Sequence, residues 1–179
     1  MQSSANIGHF RFRHDEFLPG RPPTVTDMAV RILTVCLGNI CRSPAAAAVI
    51  RARAESAGLE VEVDSAGTAS HHIGDPPHPQ SVAAGSRRGY RVTGSGRQLT
   101  EDDFRTFDLI LTMDESNLRA VRRMAPPDGV AEVVPLRSFD PDAGRDLEVP
   151  DPWGRPDAAY DHMYELIERS VPGLIESLG

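Results

Sequence analysis

The residues VCLGNICRSP at 35–44 set a thiol, Cys36, six positions before a guanidinium, Arg42, with the hydroxyl of Ser43 and then Pro44 directly after. A loop folded back on itself between Cys36 and Arg42 aims successive backbone N–H groups at one point, and a helix starting behind it adds its positive end. Such a point holds a phosphate. The guanidinium can grip two phosphate oxygens as a fork, which the ammonium of lysine cannot do with the same geometry. The same positive field favours a thiolate, which makes Cys36 a candidate nucleophile, and Ser43 can donate a hydrogen bond to it. Gly38 is expected to relieve crowding where the backbone turns, and Asn39 is one of the few non-glycine residues that accept a left-handed conformation. The candidate phosphate-binding loop is thus Leu37, Gly38, Asn39, Ile40, Cys41 and Arg42. Cys41 has two readings, a passive neighbour or a resolving thiol that pairs reversibly with Cys36.

The elements around this loop follow from local patterns. RILTV at 31–35 is a short run of β-formers, and the Ala-rich segment from Pro44 to Gly58 reads as a helix, with proline at its first position and glycine just past its end. LEVEVDSAG at 59–67 alternates as a strand, and PQSVAAGSRRG at 79–89 reads as a helix closed by Gly89. A short helical turn is expected from Thr100, paired with Asp103, before the buried strand DLILTM at 108–113. A helix capped by Asp114 and the strand AEVVP at 131–135 come next, then a long aperiodic loop over 136–155. The last helix begins near Pro156 and offers Tyr160, Met163, Tyr164, Ile167, Val171, Leu174 and Leu178 to a core, with a bend expected at Pro172. Strands alternating with helices predict an α/β fold: a single domain with a mostly parallel central sheet and helices on both faces. The phosphate-binding loop then lies between the first strand and the first helix, beyond the carboxyl end of a strand, where such sheets bind ligands.

Length and charge bound the rest. The chain has 179 residues, enough for one domain that buries roughly 70% of its unfolded surface. With 26 acidic and 19 basic residues the net charge is −7, so neither nucleic acid nor an anionic membrane surface is an expected partner, and any bound anion must be held locally. Two cysteines five positions apart cannot staple a fold of this size, so the thiols are expected free in a reducing cytoplasm. No run approaches the ~20 apolar residues of a membrane span, and no signal-peptide pattern opens the chain. Residues 1–29 lack any period and read as a disordered N-terminal extension ahead of a catalytic domain over 30–179. A translation start at Met28 and a genuine arm are both compatible with that composition.

The loop CLGNICRSP resembles the active-site signature of the low-molecular-weight protein tyrosine phosphatases, bacterial type, and the likeness runs from Val30 to the C-terminus. It extends over DSAG at 64–67, IGDPP at 73–77, RQLTEDDF at 97–104, FDLILTMDESNL at 107–118 and DPW at 151–153. The resemblance implies Cys36 as nucleophile, Arg42 as binder of phosphate and transition state, and Asp151 as general acid and then general base. It implies Asn39, Ser43 and Ser65 as supports beneath the loop, and Trp153 and His71 as walls of the substrate cleft. It implies phosphotyrosine proteins as substrates, a monomer, and no cofactor or metal; no His, Cys or carboxylate set has metal-ligand spacing.

Three departures from the family pattern, and one position that separates its branches, bear on substrate choice and rigidity. Gly154 stands where a second aromatic commonly follows Asp-Pro, and His71 where Trp or Tyr is frequent. Gly94 stands where a supporting His is common, which predicts a less rigid loop that a histidine at 94 should stiffen. Ile40 stands where a related arginine-phosphatase branch has Thr, although the DPWG run resembles that branch. The alternatives are a protein-arginine phosphatase, an arsenate reductase working with an external thiol, and an inactive phosphopeptide-binding relative. A reductase of this fold that relays a disulfide would need cysteines beyond Cys41, and a binder would not need Asp151.

Overall fold

The computed structural model describes residues 29–179. The extension expected before Val30 lies outside the described residues, apart from Ala29. Four strands, β1 (Val30–Cys36), β2 (Val61–Gly67), β3 (Leu109–Thr112) and β4 (Glu132–Pro135), form one sheet in the order β2-β1-β3-β4, every pair parallel. Parallel neighbours need crossovers, and the helices α1 (Arg42–Ala57), α2 (Pro79–Arg87), α3 (Asp103–Thr106), α4 (Glu115–Met124) and α5 (Asp157–Leu178) lie in or follow them.

The pleat of β1 sorts the core into two layers. Ile32 and Cys36 face one side with Leu109 and Leu111, where α1, α2 and α5 pack through Val49, Ile50, Ala84, Tyr160, Tyr164 and Ile167. Leu33 and Val35 face the other side with Ile110, against Phe104 of α3 and Val121 of α4. Both faces of the sheet are therefore covered, as the near-continuous apolar strands require.

The elements refine the expectation at three places. α1 starts at Arg42, which puts Pro44 third in the helix; the first-turn N–H groups have no intrahelical partner, so proline costs nothing there. α5 runs unbroken through Pro172, with Val171 and Leu174 on either side fully buried. The aperiodic segment after β4 begins with a short 3₁₀ helix, Leu136–Phe139, before irregular chain leads to α5. No helix of the described residues is long and apolar enough to cross a membrane.

Candidate active site

Because β1 ends at Cys36 and α1 starts at Arg42, the five residues between must reverse direction, and the whole turn sits at the carboxyl edge of the sheet. Asn39 supplies the left-handed step, with φ of 57°. Gly38 has no positive φ; a side chain there would instead press on the ring of His72, which closes over the loop. Gly67, at the end of β2, is needed for a similar reason: a Cβ would lie 2.7 Å from the Leu37 carbonyl oxygen. The N–H groups of Thr68 and Ala69 donate to the Cys36 and Leu37 carbonyls, both at 2.9 Å. On the far side the N–H of His78 donates to the Ile40 carbonyl at 2.7 Å and Ser81 Oγ to the Cys41 carbonyl at 3.1 Å. With these carbonyls engaged on the outside, the loop is held with its N–H groups free to turn inward.

Cys36 is 2% exposed, and Asn39 N–H donates to its Sγ at 3.3 Å. Ser43 Oγ lies 3.1 Å from the same sulfur. The single hydroxyl hydrogen of Ser43 has a second acceptor, the Ala66 carbonyl at 3.3 Å, and a thiolate is the stronger claimant. Asn39 uses its whole side chain: Nδ2 donates to Ser43 Oγ at 3.0 Å and Ser65 Oγ at 2.8 Å, and Oδ1 accepts the Arg97 N–H at 2.9 Å. Arg97 is in turn forked onto Asp103 by two bonds of 3.0 Å, with Nε on Asp64 at 2.9 Å. Beside these side chains the backbone of Arg97 supports Asn39, while Gly94 takes no part and has φ of 113°.

Arg42, with its side chain 3% exposed, bonds Asp114 through Nη1 and Asp151 through Nη2 at 2.8 Å, and Nη1 also reaches the Val149 carbonyl at 3.2 Å. Burial works against the charge, yet Cys36, Asp151 and Asp114 outweigh it and hold the guanidinium protonated. Asp114 was legible as a helix cap, and it is one: Oδ1 accepts the Asn117 N–H at 2.6 Å while Oδ2 takes Arg42. Its second role could have been suspected from its place just past a strand beside β1, at the same sheet edge. Asp151 turns its other oxygen back to the Trp153 N–H at 3.1 Å and is 43% exposed in its side chain.

A cleft of about 200 Å³ opens over these groups, lined by Cys36, Ile40, Arg42, Asp151, Trp153 and the pair His71 and His72, with Leu37, Gly38 and Cys41 also contributing. Every residue expected at the site on sequence grounds lines this cleft or supports it from below. Trp153 is 61% exposed and so forms a wall of the cleft, outside the core. His72 was missed as a wall residue; its Nδ1 is paired with Asp75 at 2.9 Å. Burial, then Cys36 and Asp151, push the Cys41 thiol up to about 12, so it stays a thiol at neutral pH.

A buried sulfur, a bonded cation and a carboxylate thus line one cleft, and comparison with known proteins gives the family. The family model for low molecular weight phosphotyrosine protein phosphatases matches residues 31–179. The chain is 43% identical over 155 residues to a low molecular weight protein-tyrosine-phosphatase of Streptomyces coelicolor, covering 84% of this chain and 94% of the relative. Among solved structures, a protein tyrosine phosphatase from Entamoeba histolytica superposes with a TM-score of 0.80 at 32% identity, over 84% of this chain and 97% of that one. A Drosophila arginine phosphatase superposes with a TM-score of 0.77 at 29% identity, over 81% and 95%. From strand β1 to the end of α5, this chain belongs to the low molecular weight phosphotyrosine protein phosphatase family and is a phosphatase.

Proposed function

We propose that the chain hydrolyses protein phosphotyrosine through a cysteinyl-phosphate intermediate, with Cys36 as nucleophile, Arg42 as phosphate binder and Asp151 as acid and base. The observation that carries this reading is the meeting of Cys36, Arg42 and Asp151 in one cleft, with the Arg42 guanidinium bonded to Asp151 and, behind the cleft lining, to Asp114. When a phosphate monoester enters, its oxygens take the loop N–H groups and Nη2 of Arg42, which releases Asp151 while Asp114 keeps the guanidinium aimed. The Cys36 sulfur bonds to phosphorus as the bond to the tyrosine oxygen breaks, and a protonated Asp151 gives that oxygen its proton. The carboxylate then takes a proton from a water that attacks phosphorus, the sulfur–phosphorus bond breaks, and inorganic phosphate leaves. The Ser43 hydroxyl, 3.1 Å from the sulfur, is placed to donate to it before and after the cycle, and Trp153 offers a face for the aryl ring.

Hydrolysis of an aryl phosphate and of a phosphotyrosine peptide tests this. Cys36→Ser should abolish turnover, and Asp151→Asn should lower it by about 10²–10⁴. Full activity in Cys36→Ser would overturn the mechanism. Two free thiols fit a reducing cytoplasm as the place where it works on phosphoproteins.

A second reading, dephosphorylation of arginine, is favoured by the likeness to the Drosophila arginine phosphatase and by Gly154 after Trp153, which leaves one aromatic wall. Ile40 in the cleft lining speaks for the aryl substrate, since it offers no hydroxyl to a nitrogen leaving group. Side-by-side rates on phosphotyrosine and phosphoarginine decide between them.

A further inference from the structure

Asp151 sits in a stretch with no regular structure between Asp140 and Pro156, so side chains must set its position. One cluster, buried at Asp140 and Arg137, leads to it. The Asp140 carboxylate has no exposed surface and accepts from Arg169 Nη2 of α5 at 2.7 Å and from Arg137 Nη2 at 3.3 Å. Its Oδ1 accepts the N–H of Asp142 at 3.0 Å. Arg137, 4% exposed in its side chain, reaches onward with Nη1 to the Glu148 carbonyl at 2.9 Å and to Asp146 at 3.1 Å. Asp146 folds back on the Glu148 N–H at 3.1 Å. The next residue, Val149, is pinned by its N–H to the Met113 carbonyl at 2.7 Å and by its carbonyl to Arg42. Asp151 follows two residues later.

The cluster thus runs from α5 through Asp140 and Arg137 to the backbone three residues before the acid, and none of its members lines the cleft. Buried ion pairs give little net stability over apolar packing of the same volume, so holding a fixed direction is the better account of this one. A general acid has to lie within hydrogen-bond reach of the leaving oxygen, and misplacement by about 1 Å costs on the order of 10² in rate.

We propose that Arg137, clamped by Asp140 and Arg169, is a positioning residue for Asp151, acting through the Glu148 carbonyl. The proposal rests on the reading of Asp151 as general acid. Its signature is dependence on the leaving group: phenyl phosphate needs the proton, whereas a dinitrophenyl phosphate leaves almost unaided.

The test measures kcat/KM for both esters, inhibition by inorganic phosphate, and melting temperature, in wild type, Arg137→Met, Arg169→Met, Asp151→Asn and the Arg137→Met/Asp151→Asn double variant. Arg137→Met should lower kcat/KM for phenyl phosphate by about tenfold or more while changing the dinitrophenyl ester and phosphate inhibition less than about threefold. In the Asp151→Asn background it should cost phenyl phosphate turnover nothing further, because the group it positions is gone. Arg169→Met, at the half-exposed end, should act in the same direction more weakly, and it decides the matter if Arg137→Met fails to fold. An equal loss on both esters, or an additive double variant, would overturn the proposal. If Asp151→Asn itself shows no leaving-group dependence, the reading of the acid fails, and the proposal with it.

Discussion

The two loops that meet over Cys36 are held by opposite means. The phosphate loop is short, closes between the last residue of a strand and the first of a helix, and is fixed by neutral hydrogen bonds: Asn39 to Ser43 and Ser65, and carbonyls 36, 37, 40 and 41 to neighbouring donors. The acid loop is long and is fixed by buried charge, Arg137 and Arg169 on Asp140. A loop that must keep its N–H groups free for an anion cannot spend them on its own support, so carbonyls and uncharged side chains carry the load. A loop that presents one carboxylate has no such restriction, and ionic anchors can hold it from a distance. Arg42 is where the two meet, since it belongs to the first and bonds Val149 and Asp151 of the second.

The sharpest way to separate the loops is to damage each at its functional end. Arg42→Ala should lower kcat/KM on an aryl phosphate by at least ~10³, because a preorganised charged donor to the transition state is removed. It should also weaken inhibition by inorganic phosphate. Asp151→Asn should lose turnover within the range given above yet keep phosphate inhibition near wild type. Equal loss of anion affinity in both variants would show that the loops are not separable.

Supports come next. Asp140→Ala strips a buried partner from Arg137 and should destabilise the fold by about 3–5 kcal/mol, measured by denaturant unfolding. Ser65→Ala removes one neutral acceptor from Asn39 and should cost only about 1 kcal/mol. If the two costs were alike, the ionic and neutral modes of support would not differ in kind. Gly94→His should destabilise by about 1–3 kcal/mol, since the residue sits at φ of 113° where a side chain is strained. This is the opposite sign to the stiffening expected of a histidine there, because the strained backbone at 94 outweighs a further donor to Asn39, whose Oδ1 already accepts the Arg97 N–H.

The smallest effect is on the alkaline limb of stability. Burial pushes the Cys41 thiol from 9.0 and the Tyr164 hydroxyl from 10.0 up to about 12 in each case. The folded chain therefore keeps protons that the unfolded chain loses, and stability declines as pH rises from about 9 toward 12. Cys41→Ser should show a shallower fall of melting temperature over that range, and an unchanged slope would count against the burial of this thiol beneath the phosphate loop.

Much of the site was legible because its nucleophilic half is local. Cys36, Asn39, Arg42 and Ser43 lie in one turn, where the strand before and the helix after dictate how the backbone reverses, so their types and order already state the chemistry. Asp151 was reached by resemblance to a family motif; by itself Asp-Pro reads as a turn. Asp114 was legible only as a cap, and His72, Arg97 and the Arg137 cluster were not read as parts of the site at all. Gly38 was expected to relieve crowding at the turn, and the neighbour it makes room for, the His72 ring, came only with the structure.

By itself the sequence determined the alternation of strands and helices, the two-layer core and the loop that makes Cys36 and Arg42 neighbours, since each depends on periods and spacings within a few residues. Only the tertiary structure decided which carboxylates face Arg42. Asp114 and Asp151 lie 72 and 109 residues away along the chain. Parallel crossovers bring the carboxyl ends of β1 and β3 to one edge, and the ionic anchor on α5 brings the acid loop there. No local pattern encodes that meeting, because it is made by the packing of separate elements around a shared sheet.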